Sequence, residues 1–510
     1  MLARMPLTRR RTLASLAAGA AALGAPAWLR AATSVSADRF ALGVASGQPR
    51  ADGMVLWTRL AGDGLPDAVE VRWSVARDES MRDVVARGSE TAHAADAHSV
   101  HAEPRGLEPG RWYWYRFDAL GAASRVGRTR TAPADDASAT LAFAIASCQR
   151  WDAGFYAAWR HLAAEPLDLV IFLGDYIYEY GARQGGVRAT PGGAVRSLQD
   201  YRERYALHRS DPDLQAAHAA APWLVVWDDH EVDNDYAALQ GQDLDPGFAQ
   251  RRAAAYRAYW EHMPLPKSAR PRDVELRLYD RFAWGRLALV HLLDDRQYRD
   301  PQACPRPGRG GSNTVALKDC PSLLDERRSL LGAAQERWLA DGWSRERAWN
   351  LLAQQTLMSR FSWRDPAVEP TYWTDGWDGY PRSRERLLRG MLAAQARNPV
   401  VLGGDVHTHY VADLKRDFDD PKSPVVASEF CGTSITSESL PQARIDAALP
   451  FNPHIRFGRG DRRGYMSFRL DARRLQCELR VLDDARRADS AIATAARFVV
   501  EDGRPGAQPG

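Results

Sequence analysis

Cysteine is scarce. Five residues in 510 are too few for disulfides to stand in for a hydrophobic core. Excess charge is missing too: the formal net charge of +3 is nearly neutral for this length. That argues against a specific nucleic-acid partner and leaves room only for local basic patches. No internal repeat and no low-complexity tract is present, which sets aside repeat architectures. Long apolar runs are also lacking. The Ala/Leu-rich stretch from Ala14 to Ala27 is too short to span a bilayer comfortably, so no transmembrane span is expected in the mature chain. Hydrophobic residues make up 45% and charged residues 26%, the balance of a globular protein, and 510 residues exceed one ordinary core, so two domains are expected.

The N-terminus reads as an address. Thr8-Arg9-Arg10-Arg11-Thr12-Leu13 supplies a twin-arginine pair, and no charge interrupts Leu13 to Leu29, which disfavours an amphipathic cytosolic helix. Small residues follow near Ala27, Ala31 and Ala32. Residues 1–32 are therefore expected to be a signal for the twin-arginine export machinery, with a periplasmic or secreted destination. Cys304 and Cys320 flank a loop rich in Gly, Pro and Arg. They either pair in an oxidising compartment or remain two thiols on a surface loop. Cys148, Cys431 and Cys477 lie in apolar contexts, and Cys148 alone has neighbours that suggest chemistry.

Hydrophobic periodicity divides the rest. Val69-Glu70-Val71-Arg72-Trp73-Ser74-Val75 alternates with period two, as a half-buried strand does. A turn at Leu107 to Gly110 precedes the aromatic strand from Arg111 to Phe117, an arrangement similar to the tyrosine corner of immunoglobulin-like sandwiches, with Tyr113 as its hydroxyl. Residues 38–133 are expected to form a fibronectin/Ig-like β-sandwich, joined by the polar linker Pro133 to Ser138 to a second domain over 139–500. Helix-like spacing occurs at 155–164, 248–261 and 333–340. Residues 181–193 read as a glycine-rich surface loop, and 501–510 as a disordered tail.

In the second domain, apolar runs end repeatedly in metal-loving residues. Leu141 to Ala146 leads to Ser147-Cys148, Leu169 to Leu173 to Gly174-Asp175, and Trp223 to Trp227 to Asp228-Asp229-His230. Leu287 to Val290 leads to Asp294-Asp295-Arg296, and Val400 to Leu402 to Asp405-Val406-His407. Buried strands emptying into loops at their carboxyl ends are how α/β enzymes assemble a site. A bridging Asp, an Asp followed by His, and a later Asp/His cluster would suit two cations about 3.5–4 Å apart, which hydrolyse phosphate esters by supplying a nucleophilic hydroxide and neutralising phosphoryl charge.

The series Gly174-Asp175, Asp229-His230-Glu231 and Gly404-Asp405-Val406-His407 resembles the calcineurin-like metallophosphoesterases. Phe172-Leu173-Gly174-Asp175-Tyr176-Ile177-Tyr178-Glu179 and Ser428-Glu429-Phe430-Cys431-Gly432-Thr433-Ser434-Ile435 are similar to the PhoD-type alkaline phosphatases of that superfamily. The resemblance implies an α/β catalytic domain of four layers, αββα, behind the β-sandwich, and hydrolysis of phosphate esters. It implies a ferric ion (Fe3+) on Cys148, Asp175, Tyr178 and His407, and a calcium ion (Ca2+) on Asp175, Asp229 and Asp405. Thiolate, phenolate and imidazole suit the first, an all-oxygen set the second. His230 is then expected to act on the leaving oxygen or the transition state. Arg296 and Tyr380 are candidate phosphate or lid contacts, with a surface ion pair or loop packing as the alternative. His409 faces either solvent or substrate. A strict phosphodiesterase and an inactive polymer-binding relative are the competing functions.

Overall fold

The computed structural model describes residues 38–510; the expected export signal at 1–32 lies outside the described residues. Alternation shapes the first layer. In the strand Trp112–Ala119 every second residue is buried, placing Tyr113, Tyr115, Phe117 and Ala119 inward. Val69, Val71 and Val75 of the neighbouring strand Ala68–Ala76 do the same. With Val84–His93, Ala122–Ala123 and Gly127–Arg130 these strands form a five-stranded sheet. It packs on Val44–Arg50, Gly53–Arg59 and Ser99–Ala102 through a shared core that includes Val44, Leu56, Val71, Val75 and Phe117. The result is a sandwich. The Tyr113 hydroxyl accepts the backbone N–H of Glu108 at 2.9 Å, the contact expected of a tyrosine corner.

One sheet of that sandwich does not end with it. Val44–Arg50 runs parallel to Trp223–Val225 through Gly47 and Trp223, so three sandwich strands extend a ten-stranded sheet. At Gly47 a Cβ would meet Pro264 O at 2.6 Å and Trp223 O at 2.8 Å, and glycine permits the close approach. The centre of the sheet is parallel: Leu141–Ala146, Leu169–Phe172 and Trp223–Val225. Its other wing is antiparallel: Gly464–Leu470, Arg474–Leu482, Ile492–Glu501 and Arg504–Pro509.

A second, seven-stranded sheet runs in the order Asp280–Trp284, Ala288–Leu292, Trp349–Ala353, Pro399–Gly403, Val425–Cys431, His409–Lys415, Ile455–Arg459. The two sheets meet face to face. Phe468 stacks on Phe143 within the first at 4.6 Å and meets Phe430 of the second edge-on at 5.4 Å. The outer faces take helices. Trp223 packs on Trp159 of helix Ala157–Ala163 and on His218 of helix Pro212–Ala220. Leu352 and Val401 pack with Leu387, Leu388 and Met391 of helix Pro381–Ala393. The order helix, sheet, sheet, helix gives the four layers.

Two loop expectations resolve differently. Cys304 and Cys320 are disulfide-bonded. Residues 501–510 are not a disordered tail: Arg504–Pro509 is an edge strand, Ala507 is buried, and the Gly506 N–H donates to Ser428 Oγ at 2.9 Å. Glycine and proline made the segment read as unstructured, but pairing with Ile492–Glu501 and burial against the second sheet order it.

Candidate metal centre

The carboxyl ends of the strands of both sheets empty into one place. Cys148, Asp175, Asp405 and His407 all sit there with positive φ, at 61, 58, 62 and 54°. Such left-handed backbone costs about 1–2 kcal/mol per non-glycine residue, and asparagine, aspartate and histidine tolerate it best. Gly174, at φ 100°, precedes Asp175, and a Cβ there would lie 2.4 Å from Asp228 Cβ. The strand ends thus bend sharply and turn short polar side chains into a common space.

Within it, one donor atom each of Cys148, Asp175 and His407 lies within 4.8 Å of the others. Tyr178 completes this corner: its hydroxyl donates to Asp175 Oδ2 at 2.8 Å, lies 3.3 Å from His407 Nε2 and accepts from Ser437 Oγ at 2.7 Å. His407 Nδ1 is 2.7 Å from the carbonyl of Glu438, to which it donates, so Nε2 carries the lone pair that faces the cluster. Burial, and then the Arg463 guanidinium, push the His407 imidazole down to about 4, keeping it neutral. Three further groups share the same spacing: Asp175 with Asp229 and His230; Asp228 with Asp229 and Asp405; and Asp229 with Asp235 and Asp375.

Two of these carboxylates resist ionisation. Burial, reinforced by Asp228 and Asp229, pushes Asp175 up to about 8, while His230 opposes the shift. Asp405 is pushed to about 8 by burial and neighbouring carboxylates, against the pull of Arg296. Asp175 Oδ1 and Asp228 Oδ2 are buried without a hydrogen-bond partner, which is costly unless a cation completes them. The donor chemistry fits: thiol, phenol, imidazole and carboxylate for a ferric ion, carboxylates alone for calcium.

His230 stands at the edge of this group on the wall of a cavity of 470 Å3. Its Nδ1 lies 2.8 Å from Glu179 Oε2 and its ring packs on Tyr178 at 4.2 Å. Burial works to lower its pKa, but the Glu179, Asp175 and Asp229 carboxylates outweigh burial and hold it well above the ordinary histidine value.

The remaining expectations fall elsewhere. Arg296 is 1% exposed and does not reach the cavity wall. Its Nε donates to Asp228 and its Nη1 to Asp375 at 2.5 Å, with Nη2 3.8 Å from Asp229 and 3.9 Å from Asp405. It balances the acidic cluster from beneath. Tyr380 is fully buried and donates to the Asp300 carbonyl. His409, at the start of strand His409–Lys415, accepts the Thr433 N–H at Nδ1 and is buried behind the wall. Neither faces the cavity.

Sequence reasoning passed over several supports. Glu231 accepts the backbone N–H groups of Asp175, Tyr176 and Asp228, tying two ligand loops together. Glu179 holds His230. Both lie inside the quoted motifs, and their spacing next to Tyr178 and His230 is the available signal. Asp375 follows a three-residue strand, Thr371–Trp373, and has no apolar run to mark it.

A model of the PhoD-like phosphatase family matches residues 143–479, and one of the PhoD-like phosphatase N-terminal domain matches residues 25–133. The chain belongs to the PhoD-like phosphatase family. Alkaline phosphatase D of Bacillus subtilis (strain 168) is 43% identical over 497 residues, covering 94% of this chain and 83% of that protein. A solved structure of PhoD superposes with a TM-score of 0.87 at 42% identity, covering 94% of this chain and 93% of that one. The purple acid phosphatase PPD1 from yellow lupin seeds shares the fold, at TM-score 0.57 and 12% identity over 90% of this chain and 74% of that one. This PhoD-like chain is a phosphoric ester hydrolase, and the convergence of strand ends is where its chemistry has to be sought.

Proposed function

We propose that the protein is an exported, metal-dependent alkaline phosphatase that hydrolyses phosphate mono- or diesters, with Fe3+ and Ca2+ as its metals. The observation that carries the reading is the corner where Cys148, Asp175 and His407 meet within 4.8 Å beside the Tyr178 hydroxyl, with Asp175 Oδ1 buried and unpartnered. Cys148, Asp175, Tyr178 and His407 would hold the ferric ion, and Asp175, Asp229 and Asp405 the calcium. Bound there, the cations supply Lewis acidity to the phosphoryl oxygens and activate the attacking water.

The chain's own groups do the rest. The Glu438 backbone carbonyl fixes the His407 tautomer, and the Ser437 hydroxyl orients that of Tyr178. Glu179 raises the His230 pKa and so favours its protonated form. Water attacks phosphorus in line, the bond to the ester oxygen breaks, and His230 Nε2–H hands that oxygen a proton; the proton released by the attacking water passes to solvent, from which His230 is reprotonated, and no covalent enzyme intermediate forms. Arg296 is better read as a charge-balancing group than as a phosphate clamp. Export is supported by Thr8-Arg9-Arg10-Arg11-Thr12-Leu13 and by the Cys304–Cys320 disulfide, which suits an oxidising compartment. Among the described residues no helix is long and apolar enough to cross a membrane.

Hydrolysis of p-nitrophenyl phosphate and bis-p-nitrophenyl phosphate at alkaline pH, with calcium and with a chelator, tests the reading. Calcium-dependent turnover is expected, together with a visible charge-transfer band that Tyr178→Phe and Cys148→Ser each alter. Full activity in folded Asp175→Ala and His407→Ala proteins would sink it, as would no turnover of either ester by the iron-loaded enzyme.

A further inference from the structure

The cavity is larger than a phosphate needs, and its lining combines two chemistries. Asp175, Asp229, Asp405 and His407 line it, and so do Phe361, Trp363, Trp373 and Tyr410. At 470 Å3 it has the size of a small-molecule site. Phe361, Trp363 and Trp373 are only half-buried, so their rings keep free surface for a ligand to cover.

The aromatic wall is built, not draped. Trp373 ends a strand paired with Thr314. The Phe361 N–H donates to Asp378 Oδ2 at 2.9 Å. Ser362, between Phe361 and Trp363, is clamped on both sides by Asn452: its N–H donates to Oδ1 at 2.8 Å, and its carbonyl accepts from Nδ2 at 2.7 Å. Phe361 packs on Trp363 at 4.7 Å and on Tyr410 at 5.2 Å. The Arg444 guanidinium lies 4.7 Å over the Trp363 ring and is not on the cavity wall, so it backs the indole from outside.

The cavity also carries polar side chains. Thr314, paired with Trp373 across two strands, and Asn234, whose N–H donates to Glu179 Oε1 at 2.9 Å, line it, and among the described residues their side chains make no hydrogen bond. Aromatic faces with amide and hydroxyl groups beside them match a flat ring that has polar edges. A flexible acyl chain would leave those polar groups unmatched.

Resting on the phosphoesterase reading of the same site, we propose that the aromatic wall is a specificity subsite for phosphoesters that carry a planar heteroaromatic group, nucleotides being the fitting class. The phosphoryl group lies against the acidic residues, and the ring stacks on Trp363 and Trp373.

Calorimetric titration of the metal-loaded full chain with phenylphosphonate, methylphosphonate and hexylphosphonate tests this without requiring turnover. All three present the same head group. Phenylphosphonate is expected to bind at least about tenfold tighter than either alkyl analogue. Trp363→Ala and Trp373→Ala should each remove most of that preference while leaving methylphosphonate binding unchanged. Equal affinity for all three ligands, a hexyl group as good as phenyl, or a preference that survives both substitutions would overturn the proposal. If the wild type prefers phenylphosphonate yet hydrolyses no ester, the subsite stands and the phosphoesterase reading falls instead.

Discussion

Arg296 sits where removing one cation leaves several anions exposed to one another. Its guanidinium bonds the buried Asp228 and Asp375 while lying near Asp229 and Asp405 on the cavity wall. Breaking a buried ion pair from one side destabilises by about 3–5 kcal/mol. Arg296→Met should therefore lower unfolding stability by that order in denaturant titrations, and Arg296→Lys should rescue little, because an ammonium cannot reproduce the planar fork. Glu179 makes a subtler case. It raises the His230 pKa above the ordinary histidine value, so the protonated form persists to higher pH than in a free imidazole. In Glu179→Gln that support is gone, and the alkaline limb of the pH–rate profile should move to lower pH. Each pKa unit lost removes about a factor of ten of protonated His230 above its pKa. An unmoved alkaline limb would show that His230 is not the proton donor.

At the scale of the element, the last strand offers a direct test. Deleting residues 503–510 removes the partner of Ile492–Glu501 and the contact between Gly506 and Ser428. A lower melting temperature is expected, and an unchanged one would return the segment to the status of a loose tail. How legible each element is in the sequence follows a similar logic. The central strands are legible because they are short apolar runs, and the proposed metal-binding residues because each run stops abruptly at Asp, His or Cys. Helices Ala157–Ala163, Phe248–His262 and Gly332–Ala340 lie close to their expected positions. Helix Leu198–Arg209 is hidden, although Ser197 and Asp200 form a capping box at its start, because it buries Arg204, His208 and Arg209, and polar residues on an inward face erase the apolar period. The pairing of Gly47 with Trp223 is illegible for a different reason: no local pattern records a partner so far along the chain.

For the molecule as a whole, buried histidines couple stability to pH. His101, fully buried against Trp260 at 4.0 Å and hydrogen-bonded through Nδ1 to the Leu265 carbonyl at 2.7 Å, is pushed down to about 4 by burial. Between about pH 4 and 6.5 the unfolded chain binds a proton here that the folded chain refuses, so this side chain's contribution falls as pH drops through that window. Comparing unfolding free energies of wild type and His101→Phe isolates it from other titrating groups. The wild-type curve should lose up to about 3 kcal/mol more than the variant between pH 7 and 4; parallel curves would refute the assignment.

The ten-stranded sheet carries a consequence for how the chain can be made. Its middle strands come from residues 141–225, one wing from residues 44–102, and the other from residues 464–509. During synthesis the first wing and the centre emerge long before the second. Until Gly464–Leu470 leaves the ribosome, Leu141–Ala146 is an unprotected apolar edge open to other nascent chains. The sheet therefore closes late in synthesis, and the site loops at its centre gain their full support only once Gly464–Leu470 has paired with Leu141–Ala146.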